Sequence, residues 1–84
     1  MQILLTFGDT RSAINAEKLL LEHEIPVSVM PLPTQIGVGC GLCLRLDENW
    51  RGQSIDLLHT TDVKVLQTYS IQRENQTVRY EALP

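Results

Sequence analysis

The apolar positions of this chain follow two different periods, and the places where the period changes mark its elements. Residues 2–7, Gln-Ile-Leu-Leu-Thr-Phe, are an apolar run rich in strand-forming side chains that stops at Gly8-Asp9, which predicts a buried strand and a turn. Residues 11–24 then change to helical spacing. Ala13, Ala16 and Leu20 recur on one face, Ala, Leu, Glu and Lys dominate the composition, and Asp9 or Thr10 can cap the first free amides. Ile14, Leu19 and Leu21 flank that face, so the apolar stripe is wider than one sheet contact requires and leaves room for a partner subunit. Ile25-Pro26 ends the helix, because proline disfavours helical geometry in the residue before it, and residues 27–30 read as a second strand. Pro31-Leu32-Pro33-Thr34 opens a surface loop that runs into the glycines at 37, 39 and 41. Beyond it Leu42, Leu44 and Leu46 alternate with Cys43 and Arg45, the pattern of a strand with one buried face. Ile55, Leu57 and Leu58 place a second helix over 48–60, where Gly52 costs about 1 kcal/mol relative to alanine and loosens the first turn. A β-branched strand over 63–71 and an alternating segment over 77–83, separated by Glu74-Asn75-Gln76, predict a closing hairpin.

The resulting order is β-α-β-β-α-β with an extra C-terminal strand. This is the split β-α-β, ferredoxin-like α+β arrangement, with two helices on one face of an antiparallel sheet. The 84 residues make a single domain, 1–84, and a chain this short buries only about 60 to 65% of its unfolded surface. A homodimer would supplement that core. A hydrophobic content of 43% with 20% charged residues belongs to a folded globular chain rather than a disordered one. The net charge of −3 comes from 7 basic and 10 acidic residues with no basic block, which argues against nucleic acid as a partner. No apolar run approaches the length needed to span a bilayer, so no membrane association is expected. The N-terminal residues lack the features of a secretory signal, and the cytoplasm is the expected compartment.

The one constellation with chemical character is Gly37-Val38-Gly39-Cys40-Gly41. Gly37, Gly39 and Gly41 permit backbone angles that turn successive amides toward a common point, a nest that favours an anion such as a thiolate, persulfide or selenide on Cys40. The plainer alternative is a tight turn in which Cys40 packs as a small hydrophobe. Cys43 completes a C-x-x-C spacing. If the second cysteine lies in an extended strand, however, residues three apart are about 10 Å apart, beyond the roughly 7 Å limit for a disulfide. Both cysteines are read as free thiols. His23, His59 and the scattered carboxylates show no metal-ligand spacing, so no metal and no cofactor is expected. The two histidines read as solvated or helix-end capping residues, and Trp50 as a core or interface anchor. Glu17, near the middle of the helical stripe, either faces the glycine loop or sits at the rim with its head in water. Arg45, on the strand face of Cys43, reads as a solvated position or a dimer contact.

Two stretches, Ala16-Glu17-Lys18-Leu19-Leu20 through Ile25-Pro26-Val27 and Pro31-Leu32-Pro33 through Cys40-Gly41-Leu42, resemble the selenium/sulfur carrier protein-like family of small bacterial domains. The resemblance covers roughly residues 3–65, and Cys-Gly opening a strand is its most specific element. It implies that Cys40 is a carrier thiol, and that the partners are a sulfur or selenium donor and an acceptor protein. Such a protein holds a persulfide or selenide rather than turning over a substrate. Cys43 and the tail beyond about residue 70 depart from the family pattern. Two other readings compete: a non-enzymatic, dimeric binding or regulatory module with a ferredoxin-like sheet, and a dithiol redox protein.

Overall fold

The computed structural model covers residues 1–84 and is organised around one strand, β1 (Gln2–Phe7), whose side chains from Ile3 to Phe7 are buried on both sheet faces. A strand with no solvent-facing side belongs at the centre of a sheet and needs cover above and below. The sheet supplies the lateral partners. Five strands run in the order β2 (Ser28–Pro31), β3 (Leu42–Asp47), β1, β4 (Val65–Glu74) and β5 (Thr77–Leu83), and every neighbouring pair is antiparallel. Together with α1 (Thr10–Glu22) and α2 (Arg51–His59) this is the α+β, ferredoxin-like arrangement that the order of elements predicts, with β5 added outside β4.

Both helices cover one face. Ala13, Ala16 and Leu20 of α1 and Leu58 of α2 pack with Ile3, Leu5, Phe7, Leu44 and Leu46 in the larger core cluster. Asp9 starts α1 by accepting the Ser12 amide at 2.7 Å, and that backbone bond, with the Ser12 side chain, holds the pKa of its carboxyl below the usual carboxylate value. The helix ends two residues before the predicted limit. Glu24 takes a φ of 60°, the Ile25 amide bonds back to the Leu20 carbonyl at 3.0 Å, and the Glu24 amide bonds to Leu21 at 3.0 Å. These are the two bonds of a Schellman termination, and buried Leu20 and Ile25 supply its hydrophobic contact. His23 accordingly caps the helix end, its Nδ1 lying 3.0 Å from the Leu19 carbonyl. Near Gly52 the second helix opens with a 3-10 turn over Glu48–Trp50 and becomes α-helical only from Arg51, while Trp50 packs half-buried against the core.

The opposite face departs from expectation. Cys43 is wholly buried rather than facing solvent, in a second cluster with Leu4 and Ile71. Leu32 and Ile36 from the loop between β2 and β3, together with Met30, Tyr69 and Tyr80, cover that cluster. The single-face alternation read for β3 fails because the 32–41 loop folds back over the sheet, which strand periodicity cannot register. Arg45, on the same face but further from that loop, stays half-exposed. β4 begins two residues later than predicted, after Thr61 Oγ1 accepts the Val63 amide at 3.1 Å, and continues to Glu74 because pairing with β5 sustains it. A register shift opposite Thr6 and Phe7 turns Leu66 outward, leaving it 49% exposed.

One buried polar atom has no partner. Ser54 Oγ lies inside α2 against the core and makes no hydrogen bond. Ser54→Ala removes that desolvated hydroxyl and installs the better helix former, so it is expected to stabilise the fold by about 1 to 2 kcal/mol. The check is urea denaturation, read as a higher midpoint at unchanged slope.

Candidate functional site

The loop that carries Cys40 is fastened at both ends to the sheet. The Leu32 amide donates to the Gly41 carbonyl at 2.9 Å, which prolongs the β2–β3 ladder past its last pair, Pro31 with Leu42. The Cys40 amide donates to the Phe7 carbonyl at 3.0 Å, which prolongs the β1–β3 pairing in the same direction. Cys40 therefore sits at the rim of the sheet where β1 turns through Gly8 into the Asp9 cap of α1. Its own amide is committed to holding the loop in place.

Glycine is required where the loop passes closest to its surroundings. Gly39 has a φ of +153°, and a Cβ there would stand 3.1 Å from Leu32 Cδ2 and 3.5 Å from the Phe7 carbonyl oxygen. Gly41 has a φ of +95°, a conformation side chains rarely adopt, with open space around it. Gly37 also has a positive φ, at 73°. The three glycines thus give the Cys40 segment its turns, and the neighbouring Val38 is 64% exposed at the loop tip.

The two cysteines are free and occupy opposite sides of the sheet. Cys40 is part-exposed, packs at the edge of the helix-side core, and donates through Sγ to the Leu42 carbonyl at 3.5 Å. Cys43 is a buried member of the far-side cluster, its Sγ 3.8 Å from the Pro31 carbonyl. Burial pushes the Cys43 thiol up to about 11, with the charge of Cys40 adding to the rise.

Other sequence candidates are not drawn to this loop. Glu17 is half-buried on α1, about two turns beyond the helix start, and no hydrogen bond or ion pair ties it to the glycines or to Cys40. His59 is exposed in the last turn of α2. No group of three or more His, Cys, Asp and Glu side chains is placed to hold a metal ion. The largest cavity, about 510 Å³, lies between the start of α1 and the α2–β4 connection, and Cys40 does not line it. Sequence reasoning missed the Phe7 carbonyl, which anchors Cys40, and Leu32, which fixes the tolerance at Gly39. Backbone acceptors leave no trace in side-chain identity. The only hint of the second was an apolar residue between two prolines.

Three outcomes follow from this geometry. With Cys43 near 11, on the order of one in a thousand of its thiols is ionised at pH 8, so iodoacetamide is expected to label Cys40 and spare Cys43 until denaturant opens the fold, as peptide mass mapping will show. Because the folded value lies above the ordinary 9.0, unfolded chains ionise first as pH rises. The stabilisation from a neutral buried thiol is therefore complete below about pH 9 and is lost between about 9 and 11. A melting-temperature series should show this decline, and Cys43→Ala should remove that part of it. Gly39→Ala, which must displace the Leu32 side chain and adopt a positive φ, is expected to cost about 1 to 3 kcal/mol in thermal or urea unfolding.

No helix of the chain is long and apolar enough to cross a membrane. No curated protein and no solved structure matches the chain. A family model described as "Putative Se/S carrier protein-like" matches residues 2–70, from the first residue of β1 through most of β4, and takes in the whole Cys40 loop. The match spans most of the 84 residues, and the chain belongs to this Se/S carrier protein-like family.

Proposed function

We propose that the protein carries sulfur, or selenium, as a persulfide or selenide on Cys40, receiving it from one protein and delivering it to another. The observation that carries this reading is the contrast between the two thiols of a Se/S carrier-like chain: Cys40 is reachable at the rim and Cys43 is sealed beneath the loop. In the loading step the Cys40 thiolate attacks the outer sulfur of a donor persulfide. A new S–S bond forms at Cys40, the donor's S–S bond breaks, and the donor cysteine leaves as a thiolate that takes up a proton. Sulfur moves at the zero-valent level between two thiols, so no external oxidant or reductant enters.

The surroundings suit transfer between proteins better than turnover of a small molecule. Cys40 lines no cavity that could enclose a substrate, and exposed Val38 beside it offers an apolar contact to an incoming protein surface. The hydrogen bond from the Cys40 amide to the Phe7 carbonyl and that from the Leu32 amide to the Gly41 carbonyl hold the loop in one place during approach. A second reading, a dimeric binding or regulatory module, draws on Ile14 and Leu21, which stand 51% and 50% exposed on α1. Under it Cys40 is an unreactive packing residue.

The readings separate in one experiment. Incubation with a cysteine desulfurase and free cysteine should add about 32 Da to the intact protein, mapped to Cys40, sensitive to reductant and absent in Cys40→Ser. Cys43→Ala should still load. An unmodified Cys40 under conditions that load a known acceptor of the same desulfurase would sink the carrier reading and leave the binding module.

A further inference from the structure

The two edges of the sheet are not equivalent. β2 is four residues long, contains Pro31 and is flanked by Pro26 and Pro33, so that edge offers few free amides. β5 is seven residues long, has no proline between Thr77 and Leu83, and is exposed along most of its length. It lies outside the family match, which ends at residue 70. Its free groups follow from the hairpin. The two-residue turn at Asn75-Gln76 makes Glu74 and Thr77 the hydrogen-bonded pair that closes it. Alternation along the ladder then turns the backbone groups of Thr77, Arg79, Glu81 and Leu83 toward β4, and those of Val78, Tyr80 and Ala82 away from it. The Glu81 and Leu83 carbonyls do receive bonds from β4 side chains, Ser70 Oγ at 3.5 Å and Gln67 Nε2 at 2.8 Å.

We infer that β5 is a self-complementary edge that pairs antiparallel with β5 of a second copy, centred on Tyr80, to join two sheets into one. In this register the outward groups of Val78 meet those of the partner's Ala82, Tyr80 meets the partner's Tyr80, and Ala82 meets the partner's Val78. Charge selects the register. Centred on Tyr80, Arg79 stands directly across from the partner's Glu81, and Glu81 from the partner's Arg79, on one sheet face. Shifting the centre by one residue sets Arg79 against Arg79 or Glu81 against Glu81, which repels. Within one chain Glu81 has no cationic partner, and Arg79 has only a solvent-exposed contact with Glu74 at 3.5 Å. On the other face, exposed Val78 and Ala82 and half-buried Tyr80 extend the apolar surface that begins with Tyr69 and Ile71. β1 and β4 lie between this edge and β3, so both Cys40 loops stay free in the pair.

Sedimentation of the full chain over about 1 to 500 μM at low salt tests this, since edge pairing of this size is weak and the charge pairs are screened by salt. The expected result is a concentration-dependent rise toward twice the 9.5 kDa of one chain. Arg79→Glu alone and Glu81→Arg alone should each weaken association about tenfold or more, because twofold symmetry converts both attractions to repulsions. An equimolar mixture of those two variants should associate again. Ala82→Pro, which removes an outward amide and leaves the β4 ladder intact, should give a monomer with an unchanged melting temperature. A chain that stays monomeric throughout, or a dimer indifferent to the β5 variants, overturns the inference; the latter combined with disruption by Ile14→Asp would place the contact on α1 instead.

Discussion

The structure depends on the burial of β1 on both faces. A strand whose five residues from Ile3 to Phe7 are all excluded from water cannot lie at an edge and cannot leave either side of its sheet bare. Two helices cover one side, α1 through its Ala13-Ala16-Leu20 stripe and α2 through Leu58. The other side is covered by a loop rather than a third layer, because Leu32 and Ile36 are drawn down onto Leu4, Cys43 and Ile71. Fastening that loop requires backbone bonds at its ends, and the acceptor at the thiol end is the carbonyl of Phe7, the last residue of β1. The position of Cys40 is therefore a consequence of core formation as much as of the glycines around it.

Most of the fold was legible because it rests on local signals. Period-two alternation in β3, the Ala13-Ala16-Leu20 stripe of α1, the loosened first turn near Gly52 and the hairpin at Asn75-Gln76 are each written in a few consecutive residues. The errors arose where backbone geometry or tertiary contact decides. The helix end at Glu22 depends on a bond from Ile25 back to Leu20 with a non-glycine residue in left-handed geometry, a choice that Ile-Pro alone does not specify. The burial of Cys43 depends on a loop with no periodicity of its own, so its strand face reads as open when only neighbouring residues are considered. Within the site, the Gly-x-Gly-Cys-Gly pattern isolated the segment, but the partners that orient it are the backbone carbonyl of Phe7, far back in the chain, and a leucine at the start of the same loop.

The three-residue spacing of the cysteines has a physical meaning different from the redox one it first suggests. Cys40 lies in the turn before β3, between two glycines of positive φ, whereas Cys43 is the second residue of the strand, and the two thiols pack against different clusters. Cys40 is left at the helix-side rim and Cys43 is sent into the far-side cluster. Burial then makes the thiolate of Cys43 unfavourable, while Cys40 keeps access to solvent. On the proposed carrier reading this separation bears directly on function. A persulfide is lost when a second thiol can reach its inner sulfur and close a disulfide, and here the nearest candidate in sequence is protonated, enclosed and on the wrong face. The fold thus separates the two thiols by position and burial, which gives the chain a single accessible thiol without any dedicated shielding group.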